Sequence, residues 1–225
     1  MFVQKLNVFL LLFILITSSS FSQSEKINQF DKQGKRHGEW IKKYEGSDQI
    51  RYEGTFEHGK EIGTFKFYKP KSEDQPTATK TYFAEHDSVQ VKFFTKKGEL
   101  VSKGNMIDKK REGIWKYYFK DGNLMMQETY KNDVLNGWKI VYFPNGKITE
   151  KKHFENGVAN GENLIYAKNG TLIQSYTYKD GKLHGSTETY NASGNLISEG
   201  NYKQGKRTGE WKFYKNNSLD EVKQY

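Results

Sequence analysis

Apolar and polar residues alternate in short runs bounded by glycine. "IWKYYF" (Ile114–Phe119) and "EWKFY" (Glu210–Tyr214) are rich in aromatics, and every second side chain is large and apolar. That period suits a half-buried strand. These runs end in "KDGN", "PNGK", "KNGT" or "ASGN", where glycine supplies the positive φ of a tight hairpin turn. A second run such as "LMMQETY" (Leu124–Tyr130) follows, closed by "EHGK", "ENGV", "KDGK" or "KQGK". Each pair of runs predicts one β-hairpin. The turns leave no room for a helical crossover, so neighbouring strands are antiparallel.

The hairpins recur at a fixed period. Gly113, Gly137, Gly161, Gly185 and Gly209 are spaced by 24 residues, Gly38 and Gly63 by 25, and Val89 stands in the missing place between Gly63 and Gly113. Seven units thus begin at 38, 63, 89, 113, 137, 161 and 185, with a half-unit from 209 onward. The expected fold is all-β: an elongated antiparallel sheet of about seven tandem 24-residue hairpins over residues 38–214, led in by 23–37 and followed by a polar end, 215–225. Alternation assigns faces. Trp115 with Tyr117, and Trp211 with Phe213, share one side, and so do Leu124, Met126 and Tyr130. Tyr118, Tyr142, Tyr166, Tyr190 and Tyr214 point the other way in a common register, as a line that is either core or contact stripe. A single hairpin cannot offset the ordering of its own backbone, at about 1–2 kcal/mol per residue, so stacking completes it.

Two features break the rhythm. "KPKSEDQPTATK" (Lys69–Lys80) holds two of the three prolines and reads as a surface loop, since proline cannot donate to a strand ladder. Asn163 and Thr187 stand where Trp115 and Trp211 do in their own units, which predicts a more polar face in units five and six.

The beginning of the chain is different. Lys5 precedes an apolar stretch, Val8–Ile16, and then small polar residues. The stretch is too short for a membrane span of about 20 residues. It has the layout of a secretory signal, residues 1–22, with cleavage between Ser22 and Gln23; an uncleaved N-terminal anchor is the alternative. Export to the periplasm or the outside is therefore expected. Residues 23–225 then carry 35 Lys and Arg against 27 Asp and Glu, a balance of +8. With no cysteine there is no disulfide or thiol chemistry. Of 34 aromatics, 30 lie beyond residue 22, while mean hydropathy is −0.89. That combination predicts a thin, strand-rich object and argues against disorder.

"YEGTFEHGKEIGTFKFY" (Tyr52–Tyr68) and "SEGNYKQGKRTGEWKFY" (Ser198–Tyr214) resemble MORN repeats, and more closely the variant found in bacterial YwqK-family antitoxins. The similarity runs from about Gly38 to Tyr214. It implies an elongated sheet of successive hairpins and, from the family label, neutralisation of a toxic partner by binding.

Catalytic chemistry finds little support. His37 and His184 precede leading glycines, His58 adjoins a turn glycine, and His86 and His153 are isolated. They read as turn residues; no pair has the spacing of zinc ligands. No G-x-S-x-G, phosphate-loop or dinucleotide fingerprint occurs. A hydrolase using Glu162 or His184 is the outlying alternative. Lysines interleaved with aromatics suit a nucleic-acid stacking surface, but export disfavours that partner. No cofactor or metal is expected. The sequence is thus read as a non-enzymatic binding or scaffold protein whose partner is another protein. An anionic lipid headgroup or envelope glycan is the alternative, and self-association is left open.

Overall fold

The computed structural model describes residues 26–72 and 74–225; the expected signal segment, with its cleavage point at Ser22 and Gln23, lies outside the described residues. Seventeen strands account for all the regular structure described: β1 (Gln29–Phe30), β2 (Arg36–Lys43), β3 (Ile50–Glu57), β4 (Lys60–Phe67), β5 (Ala78–Tyr82), β6 (Val89–Phe94), β7 (Leu100–Ile107), β8 (Lys110–Tyr118) and β9 (Leu124–Lys131). Then come β10 (Val134–Tyr142), β11 (Ile148–Glu155), β12 (Val158–Tyr166), β13 (Leu172–Lys179), β14 (Lys182–Tyr190), β15 (Leu196–Lys203), β16 (Lys206–Lys215) and β17 (Ser218–Gln224). Each pairs antiparallel with the next, giving one open meander.

The two long edges of the sheet use different turns. On one, two successive residues have positive φ, as in Asn156 (48°) with Gly157 (82°) and Gln204 (53°) with Gly205 (82°). This primed turn matches the twist of a hairpin. Each of these turns is also tied to the preceding unit: Gly157 N–H donates to Leu135 C=O at 2.8 Å, and Gly205 N–H to Leu183 C=O at 2.8 Å. On the other edge the turn closes around an asparagine or its equivalent. Asn191 exchanges 2.9 Å backbone bonds with Gly194 and Asn195, and its side chain accepts from the Asn195 N–H at 3.0 Å.

The 24-residue glycines lie inside strands rather than in turns. Gly113, Gly137, Gly161, Gly185 and Gly209 have φ of 70°, 122°, 98°, 94° and 65°, and each sits beside a slip in register. Between β13 and β14, Tyr178 faces Leu183 whereas Tyr176 faces Thr187. A bulge of this kind needs a residue free to adopt positive φ and adds twist to the strand. Val89 has no such freedom, and β5 and β6 run in unbroken register from Tyr82–Val89 to Ala78–Phe93. Residues 83–88 form a longer connection there. His184 accordingly lies in a strand at a bulge and His37 within β2; of the three glycine-adjacent histidines only His58, with φ of 47°, is in a turn.

Burial in this single layer is concentrated on one face. The column two residues after each leading position is its centre: Phe65, Val91, Trp115 and Trp211 are at most 3 % exposed. Each buried ring of that column lies flat on a glycine of the preceding strand. A Cβ added to Gly54, Gly104 or Gly200 would come within 2.5, 2.4 and 2.3 Å of Phe65, Trp115 and Trp211. The indole N–H groups of Trp115 and Trp211 donate to Asn105 C=O at 3.0 Å and Asn201 C=O at 3.1 Å. Elsewhere the sizes are exchanged across the same slot. Val91 faces Lys80, Asn163 faces Lys152 and Thr187 faces Tyr176. In the remaining slot Lys139 pairs with Glu128 at 3.2 Å, and Glu128 also accepts from the Tyr130 hydroxyl at 2.6 Å.

Asn163 and Thr187 therefore do not present a polar face as expected; both are 3 % exposed. Thr187 Oγ1 donates to Ser175 C=O at 2.9 Å, whereas Asn163 Oδ1 has no partner among the described residues. The polar end also has structure: Asn216 and Asn217 make a primed turn, and β17 completes the half-unit as a hairpin with β16.

The ring-on-glycine slot makes Gly104→Ala costly. Urea unfolding is expected to show a loss of about 1–3 kcal/mol from overpacking. In a Trp115→Val background the same change is expected to cost less than ~0.5 kcal/mol, because the atoms it meets are gone.

Candidate binding faces

Among the described residues no second layer covers either face of the sheet. The aromatic face carries the buried column together with the residues seven positions before each leading glycine. Trp211 packs edge-on against Tyr202 at 5.2 Å and Tyr225 at 6.0 Å. Val91, Trp115 and Tyr130 form a second cluster, flanked by Val89, Met106, Tyr117 and Leu135. Arginines roof this face: Arg36 lies 3.9 Å over Phe56, Arg111 3.8 Å over Tyr130 and Arg207 4.3 Å over Trp211. Stacked guanidinium groups favour the ring faces electrostatically and cover apolar surface.

The opposite face is built from transverse rows. One row runs Glu53, Lys66, Thr79, Lys92, Lys103, Lys116 and Gln127, each opposite the next on adjacent strands. Lys92 thus faces Lys103, and Lys103 faces Lys116. Among the described residues none of these three has a carboxylate at ion-pair distance, whereas Lys66 has Glu53 at 2.9 Å. Like charges directly opposite oppose pairing, so the three lysines form a local excess of positive charge. Farther along, Glu188 faces Glu199.

Tyr118, Tyr142, Tyr166, Tyr190 and Tyr214 lie half-buried on this second face, away from the buried column. Two strands per unit set successive members about 9.5 Å apart, too far for ring stacking. Their contacts are with neighbouring polar groups instead. The Tyr190 hydroxyl donates to Glu188 at 2.7 Å and that of Tyr214 to Glu199 at 2.7 Å, while the Lys103 ammonium lies 5.6 Å over Tyr118. The Glu188 carboxylate and partial burial push the Tyr190 phenol up to about 12. Glu199 raises Tyr214, and burial raises Tyr142.

Glu162 and His184 border one shallow hollow on this face, with Trp138 and His153. His184 Nδ1 is buried and makes no hydrogen bond among the described residues. His153 Nδ1 is held by Asn160 C=O at 2.8 Å, and His58 Nδ1 by Asp31 at 2.7 Å. No group of three potential metal ligands occurs among the described residues. The lysine row escaped sequence reading because it appears only once the bulges fix which residues stand opposite each other.

A stack of antiparallel hairpins with two uncovered faces is consistent with tandem MORN hairpin repeats. The family pattern described as MORN repeat variant matches residues 111–132, 139–156 and 183–204, which together are less than half of the chain. These segments fall on β8–β9, β10–β11 and β14–β15. No curated protein matches the chain.

The Tyr190 phenol offers a check on the second face. Because its folded-state value lies above that of a free phenol, its contribution to stability is complete below about pH 10 and is lost as pH rises toward 12. Ultraviolet difference titration of the protein against Tyr190→Phe is expected to show one late-ionising phenol missing. Glu188→Gln is expected to bring that phenol back down.

Proposed function

We propose that the protein is an exported, non-enzymatic scaffold that binds another protein along its sheet. The observation that carries this reading is the seventeen-strand single layer whose aromatic and tyrosine-bearing faces both lack a covering layer among the described residues. Such a surface suits extended contact better than turnover, and the match to MORN repeat variants supports a binding or scaffold role. The resemblance of Tyr52–Tyr68 and Ser198–Tyr214 to YwqK-family repeats adds a particular form: a toxic protein held inactive by docking. The signal-like pattern of residues 1–22 supports export, so that the partner is met in the periplasm or outside the cell.

A second reading rests on Lys92, Lys103 and Lys116, whose unpaired row fits an anionic lipid headgroup or envelope glycan. Cations near such a surface contribute about 1 kcal/mol each.

Crosslinking in the native cells, followed by mass spectrometry, separates the two. One protein captured in near-equal amount, and retained at about 1 M salt where the screening length falls to ~3 Å, is the expected result. Recovery of only lipid or glycan, lost at high salt and in the K92Q/K103Q/K116Q variant, would overturn the protein reading in favour of the second.

A further inference from the structure

The interruption of the repeat at Val89 leaves a cavity of about 430 Å³ on the aromatic face, floored by Tyr82, Val91 and Met106. Comparison with neighbouring units shows what is missing from it. Where Phe65, Trp115 and Trp211 fill their slots with a ring, this unit has Val91. Where Arg36 covers Phe56 and Arg111 covers Tyr130, the corresponding positions are Glu61, on the strand beside Tyr82, and Asp87, ahead of the strand beside Met106. The cation of those units is here replaced by an anion, whereas Leu135, Ala159 and Leu183 hold the same position in the later units.

Asp108 adds a third carboxylate to the rim, and among the described residues none of the three is in an ion pair. Two lysines share the lining. Lys109 lies in the β7–β8 turn, and the Lys80 ammonium lies 5.6 Å over Phe67. Phe83 and His86, with ring centroids 4.9 Å apart, come from the longer connection and form one wall.

We infer that this cavity receives an arginine side chain of the protein partner, its guanidinium covering Tyr82 and pairing with Glu61 and Asp87. The inference rests on the protein-binding reading above and gives it a specific anchor. A guanidinium is planar, stacks on aromatic faces and donates in a fork that matches carboxylates, which are the two features the uncapped ring and the unpaired acids lack. An apolar ring would leave Glu61 and Asp87 unpaired, and an anion would face three carboxylates against two lysines.

The test uses N-acetyl-arginine methylamide as probe and its citrulline analogue as the neutral, nearly isosteric control, followed by amide NMR shifts of the protein. Shifts confined to the neighbourhood of Tyr82, Val91 and Met106, with citrulline weaker by about tenfold, are expected. Glu61→Arg supplies the missing group from within. It is expected to keep or raise the melting temperature, as a stacked cation over Tyr82 should, while abolishing probe binding. Equal binding of citrulline, shifts spread over other tyrosines, or unchanged binding in E61R would overturn the inference. Failure of the probe alongside capture of a protein by crosslinking removes this site and leaves the scaffold reading standing. Probe binding alongside capture of lipid alone would overturn a partner protein as the source of the guanidinium.

Discussion

A sheet with no second layer has to bury its apolar side chains against itself. In this protein that is done by laying a ring on a glycine. Phe65, Trp115 and Trp211 reach near-complete burial because Gly54, Gly104 and Gly200 offer bare backbone for the ring to cover. Edge-on rings close a further side of Phe65 and Trp211, and Arg207 roofs Trp211. The contact is local to adjacent strands, which is why the fold extends by repetition instead of closing round a common core. Stability then depends on neighbouring units, and a slot filled in one way constrains only its own hairpins.

The slots also explain the variation along the sheet. Where the ring is absent the glycine is absent too: a larger side chain meets a smaller one, as with Tyr176 and Thr187 or Lys152 and Asn163, or an ion pair fills the slot, as with Lys139 and Glu128. In the Tyr176–Thr187 and Lys152–Asn163 slots the order of large and small is exchanged, as expected of interiors sensitive to single methylene groups. The unit at Val89 departs furthest. Without a bulge glycine it lacks the register slip, and its longer connection forms one side of a cavity rather than another packed ring.

Much of this was readable from the residues. The 24-residue spacing, the two kinds of glycine turn and the opposite facing of Trp211 and Tyr214 all follow from period-two alternation and turn chemistry. The role of the leading glycines was not readable, because a bulge and a turn both ask only for positive φ. Burial of Asn163 and Thr187 was hidden for a related reason: a polar residue in a buried column looks exposed until the large partner across the strand is identified. The lysine row required knowing that the bulges shift each strand by a set amount, and the polar end was assigned no strand although Asn216–Asn217 makes as good a turn as Asn156–Gly157.

Native-state hydrogen exchange, resolved by residue, tests most directly whether ring-on-glycine slots hold the sheet together. Amides of β7–β9 around Trp115 and of β15–β16 around Trp211 are expected to exchange slowest. Those of β11–β14, where the slots hold Lys152, Asn163, Tyr176 and Thr187, are expected to open at lower free energy. Uniform protection from β2 to β16, or slowest exchange in β11–β14, would contradict the idea that these local contacts carry the fold.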